Sequence, residues 1–297
     1  MIVVTTPTGQ IGRQVLDRLL DAPEHATAGI RVIVRDPARL SPRVREHVEV
    51  VQGSHADPAV LTKACADADS VFWLVPPSPR ADSVQGHFRA FTEPLCAEIA
   101  HGRIRRVVAV STLGRGVAEN AGQISASLAM DEAIEATGVP YRALCAPFLM
   151  ENLLGQVQSI RDAGMFFLAL APDRVLRTCS TGDVADTAAR LLLDDTWAGQ
   201  EDVPVVGPDA LSPEGMAQVV SEVLEAAVRV RHTDAAEYRA TMVRYGASEA
   251  WARGLADMVQ ALDATGCYGA DVPGTPESAP TDFRRWCADV LRPAVRA

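Results

Sequence analysis

The sequence predicts an α/β protein: a doubly wound parallel sheet joined to a smaller, mainly helical C-terminal part. Three observations predict it. Short β-branched runs alternate with amphipathic stretches six times in the first half of the chain. The first run passes through a glycine-containing turn straight into a helical pattern. The alternation then loosens beyond Pro147. Such repetition makes the strands parallel, with right-handed crossovers.

Residues 1–6 (MIVVTT) suit a buried strand. Over 13–20, Val15, Leu16, Leu19 and Leu20 recur at helical spacing. A loop is expected over 21–29, a second strand at 30–34 and a third at 48–51. Residues 58–66 read as a helix, with Pro58 in its first turn and Asp57 as N-cap. A fourth strand at 70–75 (SVFWLV) is stopped by Pro76-Pro77, and 83–101 suit a longer helix. A fifth strand at 107–110 ends at Ser111-Thr112. A helix over 127–137, closed by Gly138, leads to a sixth strand at 141–144. Beyond Pro147 we expect a short strand near Val175 and a helix capped by Asp183 that runs to 193. A strand at 203–206, a helix from Ser212 to 227 and a final helix at 283–290 follow. The division is residues 1–150 for the sheet domain and 151–297 for a substrate-binding part, interleaved with the core sheet, that covers the site.

Composition narrows the function. A net charge of −10 and a pI near 5.1 argue against a nucleic-acid surface. Hydrophobic residues at 48% and charged residues at 22% belong to a folded chain. No apolar run has the length of a membrane span. The chain starts inside a strand, so no leader is expected and a cytoplasmic location follows. Six cysteines without CxxC spacing and six histidines without HxxxH spacing predict free thiols and no metal site. The expected partner is a small molecule, with neither nucleic acid nor membrane; a homodimer is compatible with the sequence.

Thr6, Gly9 and Gly12 fall on the three positions of the dinucleotide fingerprint, with threonine in place of the first glycine. Gly9 lets the backbone approach a pyrophosphate, and Gly12 lets the helix pack on the strand. This makes the sheet Rossmann-type, with the phosphates at a helix N-terminus. Arg35 ends the second strand and Arg39 lies one turn on, so two guanidinium groups favour the 2′-phosphate of NADPH. Two alternatives stay open: the arginines pair with Asp36 or Glu46, or Asp36 holds a ribose, which would favour NADH.

TTPTGQIG, VIVRDPARL, VVQGSHADPAVL, VFWLVPP, VVAVSTLG, DEAIEATGVPYRALCAPFLMENLL and STGDVADTAARLLL occur in that order. Together they resemble the NmrA-like group of atypical short-chain dehydrogenases over nearly the whole chain. Thr6 and Pro7 depart from that group's usual turn, and Leu144-Cys145-Ala146 stands where the group often has Leu-Arg-Pro. The resemblance implies that Thr8, Gly9, Gln10, Ile11 and Gly12, with Arg35 and Arg39, hold phosphates. It implies that Ser54 and His55 line the adenine pocket, and that Val75, Pro76 and Ser111 flank the ribose and nicotinamide. Phe148 would lie over the nicotinamide, with Met150 and Asn152 in the substrate pocket.

The group contains both NADPH-dependent quinone or enone reductases and non-catalytic redox sensors, so residues must decide. A Tyr-xxx-Lys acid–base pair is excluded. Lys63 is the only lysine among 28 basic side chains, and it lies on the early third helix. No catalytic residue is identified. Three functions remain: an NADPH-dependent reductase of a quinone, enone or aromatic ketone that needs little proton help; an NADP(H) sensor that binds a protein partner; and a sugar-nucleotide epimerase, disfavoured by the missing pair. His87 is expected to be a solvated helix residue, and Trp251 and Met258 either face the cleft or belong to the core.

Overall fold

A computed structural model describes residues 1–22 and 29–297. The loop expected over 21–29 falls mostly outside the described residues. Among the described residues seven strands form one parallel sheet: β1 (Ile2–Val4), β2 (Ile30–Val34), β3 (Glu49–Gln52), β4 (Ala68–Trp73), β5 (Ile104–Thr112), β6 (Tyr141–Ala146) and β10 (Gln200–Pro204). Their order is β3-β2-β1-β4-β5-β6-β10. Every pairing is parallel, for example Ile2 with Ile30 on one side and with Ser70 on the other. The order reverses between β1 and β4, and a reversal of this kind opens a crevice beyond the carboxyl ends of the strands.

Between its exposed edge strands β3 and β10, the sheet is buried on both faces. On one face, α1 (Gln10–Asp21) and α7 (Thr181–Leu193) cover Val4, Val32, Phe72 and Val108. On the other, α3 (Pro58–Ala64), α4 (Val84–Ala100) and α5 (Gln123–Glu135) cover Val3, Ile33, Trp73 and Tyr141. The alternation of these residues between faces is the period-two pattern of a strand covered on both sides. Caps follow the expected chemistry at Ser83 and Asp57, whose side chains accept from Gly86 N and Ala59 N.

Thr5 fastens the crevice. It is fully buried, its Oγ1 donates to Phe72 O (2.9 Å), and Leu74 N donates to that Oγ1 (3.1 Å). Thr5→Val keeps the shape and strands the Leu74 amide. Urea unfolding should report a loss of about 1–3 kcal/mol, the usual penalty for a buried donor left without a partner.

Several elements differ from expectation. The fifth strand is longer, because Ile104 and Arg106 also pair with β4. α5 begins at Gln123, four residues early. The helix expected from Asp183 is capped instead by Ser180, which accepts from Asp183 N (3.0 Å). The Asp183 carboxylate accepts from Thr281 Oγ1 (2.8 Å) and so ties the C-terminal loop to α7. The strand expected at 203–206 is β10 at Gln200–Pro204, the polar outer edge of the main sheet. The sheet domain therefore takes α7 and β10 from beyond residue 150.

The C-terminal part is organised around Trp286, Phe283 and Phe166, all buried. It contains β7 (Phe148–Leu149), α6 (Val157–Ala163), β8 (Met165–Leu168), β9 (Leu176–Cys179), β11 (Ala210–Leu211), α8 (Pro213–Leu224) and β12 (Arg229–His232). Then come α9 (Ala235–Arg244), α10 (Glu249–Thr265), α11 (Phe283–Trp286), a π turn at Cys287–Leu291 and α12 (Arg292–Arg296). It grips the sheet domain where Gly122 meets α10. A Cβ on Gly122, which has φ +53°, would fall 1.8 Å from Gly254 O. Only glycine permits that approach and that backbone. No helix among the described residues is long and apolar enough to cross a membrane.

Candidate cofactor and active site

The predicted binding residues lie at the carboxyl ends of adjacent strands. After β1 the chain turns through Thr6, Pro7, Thr8 and Gly9 into α1. Gly9 is the N-cap of α1 and offers no side chain, so the first amides of the helix are left for an anion. A Cβ on Gly12 would lie 2.2 Å from Thr6 O, and one on Gly9 would lie 3.3 Å from the same oxygen. Thr6 takes the left-handed backbone (φ +49°) that glycine would take at no steric penalty. Its Oγ1 is buried without a hydrogen-bond partner. Ile11 is buried on the sheet, Thr8 is half-buried, and Gln10 is exposed at the start of the helix.

Arg35 and Arg39 stand exposed at the tip of β2. Among the described residues neither guanidinium forms an ion pair with Asp36 or Glu46. The Asp36 carboxylate is turned into its own loop, where it accepts from Ala38 N (3.0 Å). Among the described residues, the tip of β2 therefore presents two cations without an ion-pair partner.

At the tip of β3, Ser54 Oγ accepts from Ala56 N (3.2 Å). The His55 ring is 6% exposed, stands edge-on to Trp73 and lies 3.0 Å from Leu74 O through Nε2. Burial lowers its pKa to about 4, so the ring is neutral and acts as a strut for β4. Val75 and Pro76 follow at the end of β4, both half-buried. His87 is not the solvated residue expected. It is half-buried, its Nε2 lies 2.8 Å from Pro76 O, and its ring faces Phe91 and Trp251. It holds the β4 exit in place. Trp251 is buried against Val84 and Ala126, and Met258 packs on the C-terminal core.

Phe148 is half-buried at the exit from β6, and Asn152 is exposed on the turn that follows. Met150 is fully buried in the C-terminal core, so it presents no surface to a substrate. A groove of about 460 Å³, lined by Pro77, Ser78, Arg80, Tyr245 and Trp251, opens beside the β4 exit. A larger one, about 620 Å³, lies between Arg190 and residues 274–278, at the β10 edge and away from the crevice.

One cluster was not legible in the sequence. Ser111, at the end of β5, donates its hydroxyl to Asp131 Oδ2 on α5. Tyr141 OH donates to the other oxygen, Oδ1 (2.6 Å). Asp131 is fully buried and Arg115 approaches to 3.8 Å. Burial pushes the carboxyl up to about 7, against the opposing pull of the two hydroxyls and Arg115. Burial and the neighbouring carboxyl raise the Tyr141 phenol well above its usual value. Beside Ser111, Thr112 Oγ1 pairs with the buried Tyr268 OH of the C-terminal part. The one available signal was positional: Asp131 shares a helical stripe with Ile124, Leu128 and Ile134, where an apolar residue belongs.

Residues 7–195 match the model of a family described as NAD(P)H-binding. The chain belongs to that family. It is 30% identical over 248 residues to a (4-alkanoyl-5-oxo-2,5-dihydrofuran-3-yl)methyl phosphate reductase of Streptomyces griseus, covering 82% of each chain. It is 30% identical over 228 residues to an NAD(P)H azoreductase of Xenophilus azovorans, covering 74% of this chain and 73% of that one. Its fold matches the NADPH-dependent quinone oxidoreductase of Escherichia coli solved with NADPH, with a TM-score of 0.78 over 98% of this chain and 100% of that one. Identity there is 18%, so that match speaks for the fold alone. These relatives place the chain among NAD(P)H-dependent oxidoreductases of the NmrA-like, atypical short-chain dehydrogenase kind. Among the described residues no group of His, Cys, Asp and Glu is arranged to hold a metal ion.

Proposed function

We propose that the protein is an NADPH-dependent reductase that passes hydride to a quinone, enone or similarly conjugated aromatic acceptor. The observation that carries this is the pairing of a side-chain-free phosphate turn at Gly9 and Gly12 with two unpaired arginines at the tip of β2. The group fits the residues present. The turn is so close to the helix that a Cβ on Gly12 would strike Thr6 O, the helix start is uncapped, and the buried Thr6 Oγ1 still lacks a partner. When bound, NADPH supplies a hydride at the nicotinamide.

The chain's own residues bind and orient. The α1 amides and the Gly9 backbone receive the pyrophosphate; Arg35 and Arg39 receive the 2′-phosphate. Val75, Pro76 and Ser111 border the reacting end, and Phe148 limits access from the C-terminal side. α5 carries Ser125, Ala129 and Asp131, with neither tyrosine nor lysine. A conjugated acceptor suits such a site, because it delocalises the incoming electron pair and leaves positioning as the main task. The acceptors in the relatives' names, a dihydrofuranone, an azo compound and a quinone, are of this class.

Anaerobic mixing with a panel of quinones and azo dyes tests the reading: the NADPH absorbance band is expected to bleach in the presence of protein. Tight NADPH binding without bleaching by any acceptor would overturn it in favour of a sensor.

A further inference from the structure

Resting on that reading, we propose that Asp131 is a positioning residue whose proton is relayed through Ser111 Oγ to the reduced acceptor. Ser111 is the penultimate residue of β5, next to β4 at the strand reversal, with 7% of its surface still open. Behind it lies a carboxyl with no exposure, each oxygen of which receives one hydroxyl. When Asp131 is ionised, the only hydroxyl proton of Ser111 is committed to it. When Asp131 is protonated, it donates to Ser111 Oγ, and the serine proton is free to point into the crevice.

The step balances. Hydride transfer to a quinone leaves a hydroquinone anion. The Ser111 O–H bond breaks as a new O–H bond forms on that anion. The Asp131 proton moves to Ser111 Oγ, which leaves a carboxylate held by Tyr141 OH, and water restores the proton between turnovers.

The groups that face Asp131 set where the switch acts. Ser111 comes from β5, Tyr141 from β6, Arg115 from the loop after β5, Asp202 from β10 and Glu135 from the same helix. The Arg115 charge is shared with Glu135 (2.9 Å) and Asp202 (2.8 Å). α4 meets α5 near Cys96, which donates to Ala133 O, and α10 meets it at Gly254. With the carboxyl near pH 7, the relay is loaded below that pH and empties above it.

The test is the pH profile of kcat with a quinone, run on the native protein, Asp131→Asn and Ser111→Ala. Native kcat is expected to fall about tenfold per pH unit above pH 7 as one group deprotonates. Both variants should lose on the order of 10²-fold in kcat at pH 6 and show no limb near pH 7, and Asp131→Asn, behind the site, should bind NADPH within about twofold of native. A purely structural role would lower kcat and leave the limb in place. If the limb persists in either folded variant, the relay is wrong while the reductase reading stands. If the native protein turns over no acceptor, both are wrong.

Discussion

Replacing Gly12 by alanine is expected to abolish measurable NADPH binding. The added Cβ would sit 2.2 Å from Thr6 O and 2.9 Å from Thr6 C, both backbone atoms that no rotamer change can move aside. Either α1 shifts away from β1 or the turn opens, and both movements displace the amides that receive the pyrophosphate. Overpacking usually costs about 1–3 kcal/mol, and a clash between a Cβ and fixed backbone belongs at the top of that range. Gly9→Ala is the discriminating control. Its Cβ would lie 3.3 Å from Thr6 O, a contact that a small adjustment relieves. That variant should keep near-native thermal stability and still bind poorly, because the new methyl occupies space meant for the phosphates. Calorimetric titration and thermal melts separate the two outcomes.

The second large effect concerns the cofactor's 2′-phosphate. Removing Arg35 and Arg39 together is expected to weaken NADPH by roughly 10²-fold or more and to leave NADH within about twofold. Each hydrogen bond to a charged group contributes about 1.5–3 kcal/mol, and each 1.4 kcal/mol is tenfold. Neither arginine has an ion-pair partner among the described residues, so truncation leaves no buried charge behind. The loss should therefore appear in NADPH affinity and not in stability. An unchanged NADPH-to-NADH ratio would show that the tip of β2 does not read the phosphate.

How far the sequence carried the account depended on locality. β1, β4 and β6 were visible because strands covered on both faces are largely apolar runs, while the edge strand β3 showed only through Val50 and Val51. The turn was visible because Gly9 and Gly12 are spaced by local geometry. β10 was displaced in the reading because Gln200–Pro204 is polar and finds its place only by pairing with β6. The resemblance implies Met150 in the pocket, yet the short helical turn after β7 buries it. Asp183 looked like a cap and proved to be a tether to Thr281, 98 residues away in sequence. For Asp131 the only local sign is its place on the apolar stripe of α5; its meaning comes from Ser111 and Tyr141, which the sheet brings to either side of it.

The central claim is that this turn and its arginines serve hydride transfer, without the usual tyrosine and lysine. A single-turnover measurement tests it most directly: NADPH deuterated at C4 is bound to the protein and mixed anaerobically with a quinone. The bound NADPH is expected to be consumed, with deuterium slowing its decay. NADPH that binds tightly and survives every acceptor unchanged would contradict it.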